Sequence, residues 1–151
     1  MELEEAKELA FELMSDYGLY YWKFKFDRAK MRFGLCNEYS KTISLSRYLV
    51  EINDEEIVKN VILHEIAHAL VGNKHKHNSV FQQKAHDIGC KYTNSYCFDN
   101  INSVPKNVVA KCPRCGHLFK RYRKPSSIGY CGRCKDVSYE ERLLVFERVV
   151  E

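Results

Sequence analysis

Asn53-Asp54-Glu55-Glu56-Ile57-Val58-Lys59-Asn60-Val61-Ile62-Leu63-His64-Glu65-Ile66-Ala67-His68-Ala69-Leu70-Val71-Gly72-Asn73 is the stretch on which the reading of this chain turns. Asn53 with Glu56 three residues on has the form of a capping box, and Gly72-Asn73 supplies a stop, so the spacing predicts a helix between them. Ile57, Val58, Val61, Ile62, Leu63, Ile66, Ala67, Ala69, Leu70 and Val71 leave that helix little polar surface. A helix apolar all round is buried in the middle of its domain. This one nevertheless carries His64, Glu65 and His68 in the order His-Glu-x-x-His.

Residues four apart on a helix share a face, about 6 Å along the axis, so His64 and His68 can aim at one ion while Glu65 flanks a water on it. Two imidazoles and a carboxylate buried without a partner would each cost several kcal/mol, and a metal ion supplies that partner. Catalytic zinc takes three protein ligands and keeps its fourth position for water. His77, where a loop leads into the next helix, is the favoured third ligand, with His75 and His86 as alternatives. The arrangement points to a zinc hydrolase of the HExxH type. Bound zinc would lower the pKa of its water and polarise a scissile carbonyl, and Glu65 would take the proton and pass it to the leaving amine.

Outward from this helix, residues 3 to 14 place Leu3, Ala6, Leu9, Ala10, Leu13 and Met14 at helical spacing, and Gly18 ends the run. From Leu19 to Ile43 aromatic and charged residues alternate: Trp22, Phe24 and Phe26 against Lys23, Lys25 and Asp27, continuing through Met31, Phe33 and Leu35. That is the pattern of a small antiparallel sheet, with Thr42 to Ser44 as a further strand. Residues 79 to 89 predict a third helix, and the polar segment from Asn100 to Asn107, with Pro105, a linker. The expected fold class is α+β, helices packed on that sheet. The expected domains are 1–102, catalytic, and 103–151, a small appendage.

With 151 residues, 45% hydrophobic and 29% charged, the composition excludes a disordered chain, and no apolar stretch reaches the length of a bilayer span. The first eight residues, Met1-Glu2-Leu3-Glu4-Glu5-Ala6-Lys7-Glu8, are acidic where a signal peptide is basic. The expected location is therefore the cytoplasm, nucleoid-associated, or the nucleus, with no secretion and no membrane partner.

Cysteines number seven, and four form the pairs Cys112-Pro113-Arg114-Cys115 and Cys131-Gly132-Arg133-Cys134. Such spacing is that of a four-cysteine zinc ribbon, a second zinc site that is closed and structural and has no need of His117. Cys36, Cys90 and Cys97 read as small buried hydrophobes. Charge is divided: residues 103–151 hold eleven Lys and Arg against five Asp and Glu, whereas residues 1–102 hold thirteen against fifteen. Lys120, Arg121, Tyr122, Arg123 and Lys124, with Phe119 before them and Tyr130 nearby, interleave basic and aromatic side chains. That mixture suits phosphate contact and base stacking on single-stranded or partly unpaired DNA. The competing reading is a solvated basic hairpin whose aromatics cover a minimal core.

Gly34-Leu35-Cys36, Ile43-Ser44-Leu45-Ser46, Leu63 to Leu70, His77 with Phe81, and Ile88-Gly89-Cys90, followed by the paired cysteines, together resemble the SprT-like zinc metallopeptidase family. The likeness runs over roughly residues 3 to 137. It implies a compact zincin-like α+β fold, with His64, His68 and His77 as zinc ligands and Glu65 as general base. The family includes the Spartan protease, which degrades proteins crosslinked to DNA. The resemblance therefore implies a DNA-associated or DNA-crosslinked protein substrate and a part in crosslink repair. Asn78 stands where the family commonly has Gly, and Asn tolerates the left-handed conformation better than most residues. Two other readings compete with a DNA-directed protease: a non-catalytic zinc-ribbon DNA-binding protein on a zincin-like scaffold, and a cytosolic peptidase indifferent to DNA.

Overall fold

The computed structural model describes residues 1–94 and 100–149. Two compact units make up the chain, Met1–Val104 and Pro105–Glu151.

The first unit opens with α1 (Leu3–Asp16), whose Ala6, Ala10, Leu13 and Met14 form the buried stripe that the helical spacing requires. Gly18, at φ +73°, makes the left-handed turn that stops it. Strands β1 (Lys23–Asp27), β2 (Gly34–Asn37) and β3 (Thr42–Ser46) follow, then a short helix α2 (Arg47–Glu51). In the sheet the order is β1-β3-β2. β3 runs antiparallel to β2 but parallel to β1, with Phe24 beside Ile43 and Phe26 beside Leu45, so the sheet is mixed and the antiparallel expectation is corrected.

Side-chain alternation reports which face of a strand is buried and is the same for either direction of pairing, so it does not choose a neighbour. Burial does. Ile43 and Leu45 have no exposed surface, and the middle position is where a strand is covered on both flanks. β1 and β2, with Lys23, Lys25 and Asn37 exposed, take the edges. Met31 and Phe33 fall in the loop between β1 and β2 instead of extending a strand. Met31 is exposed there and Phe33 turns into the core.

α3 (Glu55–Val71) is the buried helix of the sequence reading, packed against α1, β2, β3 and α4 (Ser79–Asp87). Its N-cap is Asp54, whose Oδ1 accepts from the Ile57 N–H at 3.0 Å, not Asn53 as expected. Asn53 is turned inward: its Nδ2 donates to the carbonyls of Leu49 (2.7 Å) and Asn102 (3.0 Å), and its Oδ1 accepts the Asn102 N–H at 2.8 Å. The reason is α2, which the sequence reading did not contain. The last turn of α2 leaves the Leu49 carbonyl without a helical partner, and Asn53 is the amide within reach. Asn102 is thereby pinned, and Ile101 and Val104 pack on the core, so the front of the expected linker belongs to the first unit. Cys36 and Cys90 are buried as expected, whereas Cys97 lies outside the described residues.

The second unit holds β4 (Val108–Lys111), β5 (Leu118–Arg121), β6 (Gly129–Tyr130), β7 (Leu143–Leu144) and β8 (Glu147–Arg148). Its antiparallel sheet has the order β5-β4-β8, and β6 pairs with β7. Val108, Ala110, Leu144 and Phe146 close around Cys112, Cys131 and Cys134. A core that small does not offset chain entropy in a unit below about 70 residues without a staple.

Ile62, fully buried on α3, anchors the first unit. Ile62→Ala is expected to cost about 2–5 kcal/mol. The measurement is the urea midpoint followed by fluorescence of Trp22, the chain's one tryptophan, which packs on this core.

Candidate metal centres

One helical turn separates His64 from His68, and both rings meet His77, which arrives from the loop after α3. The Nε2 of His77 lies 3.1 Å from that of His64 and 3.2 Å from that of His68. Ligands about 2.05 Å from a tetrahedral zinc stand about 3.3 Å apart, so three imidazole nitrogens at this spacing fit the ion. Phe81, fully buried on α4, forms the floor: its ring stacks on His68 at 4.2 Å and meets His64 and His77 edge-on at 4.9 and 5.0 Å.

The loop that delivers His77 turns through a single 3-10 turn, Asn73–His75, and through Lys76 at φ +45°. Asn78 is not left-handed. It sits at φ −74°, ψ −177° as the N-cap of α4, its side chain accepting from the N–H groups of Val80 and Phe81. An Asn at this position is therefore suited to it by capping, which corrects the left-handed expectation. The Gln82 amide donates to the His77 carbonyl at 2.9 Å and closes the loop. His75 points elsewhere, its Nδ1 accepting from Asn78 at 3.2 Å, and His86 is exposed on α4. Neither joins the three-imidazole group.

Burial pushes both His64 and His68 down to about 4, and lowers His77 as well. All three rings are neutral near pH 7, with a lone pair free to bind a cation. The Nδ1 of His64 lies 2.6 Å from the Tyr92 carbonyl. A carbonyl only accepts, so Nδ1 carries the proton and Nε2 presents its lone pair to the other two rings.

Glu65 is buried beside the trio, its carboxylate accepting the backbone N–H of Cys36. Burial pushes its pKa up to about 8, while a divalent ion next to it would act in the opposite sense. Gly34 makes room for it: a Cβ there would stand 2.7 Å from Cγ and 2.8 Å from Cδ of Glu65. The Cys36 N–H and the Tyr92 carbonyl are functional groups that the residue types did not disclose, because they belong to the backbone. Gly34 was visible only as part of the family-like segment.

The four paired cysteines bring their Sγ atoms within 4.8 Å of one another, with Cys115 and Cys131 3.8 Å apart. Zinc–sulfur bonds of about 2.3 Å give a tetrahedral edge of about 3.8 Å, so this donor set also fits. The N–H groups of Cys115 and Arg114 help to hold the Cys112 thiol down to about 7, while desolvation pushes Cys134 up to about 12. His117 is outside the group, its Nδ1 next to Arg133 at 3.1 Å.

Lys120, Arg121, Arg123 and Lys124 are exposed, but the aromatics among them are partly engaged. Phe119 covers the small core, Tyr122 lies under Lys106 at 5.3 Å, and Arg121 lies over Phe146 at 5.4 Å. Tyr130 is exposed and pairs with Tyr139 at 4.9 Å, with the Arg142 guanidinium 4.6 Å from the Tyr139 ring. The sequence reading did not single out Tyr139 or Arg142.

A helix-borne pair of imidazoles joined by a third, with a buried carboxylate next to them on the helix, makes a candidate metal site in an α+β domain. The SprT-like family model matches residues 4–105, and the chain belongs to that family. Among solved structures it is similar to the metallopeptidase zymogens jannalysin of Methanocaldococcus jannaschii and abylysin of Pyrococcus abyssi. Each likeness has 21% identity and a TM-score of 0.46, spanning 54% of this chain and 79% and 76% of theirs respectively. The curated proteins contain no match. Among the described residues no helix is long and apolar enough to cross a membrane.

Gly34→Ala is expected to displace the Glu65 carboxyl and to lower stability by about 1–3 kcal/mol through overpacking. Carboxyl carbon NMR of Glu65, with a urea melt, checks both effects.

Proposed function

We propose that this chain is a zinc-dependent endopeptidase acting on DNA-associated or DNA-crosslinked proteins, with residues 1–102 as catalytic domain and 103–151 as a basic zinc ribbon. The observation that carries it is the convergence of His64, His68 and His77 beside Glu65 in a chain of the SprT-like family. His64, His68 and His77 would hold the catalytic zinc, and Cys112, Cys115, Cys131 and Cys134 a structural one. When bound there, zinc would supply Lewis acidity, polarising a scissile carbonyl and acidifying a water. Glu65, held by the Cys36 N–H and confined by Gly34, takes the proton of that water on a carboxyl oxygen and delivers it to the departing amine. Phe81 packs its ring against all three imidazoles and covers them from one side. Neutral rings, imposed by burial, leave all three nitrogens free for coordination.

For the ribbon, the support is charge and exposure: nine basic residues and no acidic one between Lys106 and Lys135, with Lys120, Arg121, Arg123 and Lys124 facing solvent. Phosphates pair with such cations without regard to sequence. Location at the nucleoid or in the nucleus follows from that partner.

Wild type is expected to hold two zinc ions per chain, His77→Ala one, and Glu65→Gln two with no cleavage of a protein substrate in the presence of single-stranded DNA. Metal analysis and gel assay read this, and equal cleavage by Glu65→Gln and wild type removes the catalytic reading in favour of a DNA-binding scaffold. Binding to a single-stranded oligonucleotide is expected to weaken steeply with salt. Replacing Lys120, Arg121, Arg123 and Lys124 by Ala should flatten the logarithmic salt slope by about 0.7 for each phosphate that is no longer paired. Weak binding with no salt dependence in wild type favours a peptidase indifferent to DNA.

A further inference from the structure

The buried polar side chains of α3 are Asn60, His64 and Glu65, and the first of these has no part in the chemistry above. Asn60 lies one turn before His64 and is 5% exposed. Its Nδ2 donates to the Glu56 carbonyl at 2.9 Å, and its Oδ1 accepts the backbone N–H of Lys91 at 2.7 Å. Its own carbonyl receives the Cys90 thiol at 3.4 Å. The following residue, Tyr92, presents the carbonyl that accepts from His64 Nδ1. The Cys90–Tyr92 segment, which belongs to no strand or helix, is thus laid along α3 and fastened at two points a turn apart.

We propose that Asn60 is a positioning residue for the metal ligand His64: by holding the Lys91 N–H it places the Tyr92 carbonyl that orients the imidazole. This rests on the metal-centre reading above. Three features favour it. Lys91 comes two residues after Gly89, whose φ of +78° turns the chain back from α4 with the Cys90 N–H on the Ala85 carbonyl at 2.8 Å, and the Asn60 bonds carry the segment on along α3. The Lys91 ammonium pairs with Glu56 on the surface, where ion pairs contribute little, so the backbone here is set by the buried Asn60 bond to the Lys91 N–H, with the Cys90 thiol also meeting the Tyr92 carbonyl at 3.4 Å. A ligand imidazole depends on the acceptor behind it for both ring orientation and tautomer, and the Tyr92 carbonyl is that acceptor.

The test compares Asn60→Thr and Asn60→Asp with wild type in the full chain, with zinc already on the thiols. Thr is close to Asn in volume and its hydroxyl still reaches the Glu56 carbonyl, but it is too short for Lys91. Asp keeps the oxygen that accepts from Lys91. Zinc affinity of the imidazole site, by chelator competition, is expected to fall about tenfold in Asn60→Thr. Asn60→Asp should regain most of it. Proton–nitrogen spectra of the zinc-loaded proteins supply a readout that simple loss of stability would not move. The His64 Nδ1–H, slow to exchange with water in wild type, should exchange faster in Asn60→Thr and be restored in Asn60→Asp. Unchanged affinity and an unchanged Nδ1–H signal in Asn60→Thr overturn the proposal, as does an Asp variant no better than Thr. A wild type that takes zinc on its thiols alone overturns the metal-centre reading itself, a distinct failure.

Discussion

Burial of the middle of α3 strips water from His64 and Glu65 and half-buries His68, and the groups around them answer that loss. His64 and Glu65 retain 5% and 7% of their surface, in a core built mainly from aliphatic and aromatic side chains, Phe33 and Phe81 among them. Isolated charge in such a place is strongly disfavoured, so the imidazoles are neutral and the carboxyl is pushed toward protonation. A divalent ion reverses that balance: it turns neutral nitrogens into ligands and makes a carboxylate beside them favourable. The backbone completes the arrangement with a donor to Glu65 from Cys36 and an acceptor for His64 at Tyr92. The sheet and the loop after α4 thus meet the helix at the two points where its polar groups need partners.

The second unit meets the opposite difficulty. Its apolar cluster is small, and three of the four paired thiols, those of Cys112, Cys131 and Cys134, are embedded in it, so the candidate metal site and the core share the same residues. Three of the four sulfurs lie in that interior and Cys115 is exposed, while the charged side chains of the unit are mostly basic, eleven Lys and Arg against five Asp and Glu over residues 103–151.

Legibility followed from the kind of interaction involved. Helices α1, α3 and α4 were readable because apolar spacing and the residues that start and stop a helix are properties of one segment. The two metal-binding groups were readable for a similar reason, since most of their members lie four residues apart on a helix or in CxxC pairs. His77 was favoured over His75 and His86, and the structure brings His77 to the other two rings. The direction of β1 was not readable, because pleat alternation is indifferent to parallel or antiparallel pairing. The cap of α3 was misplaced by one residue because α2, five residues long, left too weak a signal to show that Asn53 was needed elsewhere.

By itself the sequence determined a buried helix carrying a pair of imidazoles, a second unit with two cysteine pairs and an excess of basic residues there, since residue type and short-range spacing encode each of these. Tertiary structure alone decided that β3 lies between β1 and β2, that Gly34 backs Glu65, that Asn78 caps α4, and that Asn60 and the Tyr92 carbonyl stand behind His64. The physical reason is that these last are contacts of backbone groups or of segments far apart in the chain. Their partners are chosen by what remains unsatisfied once the core has closed.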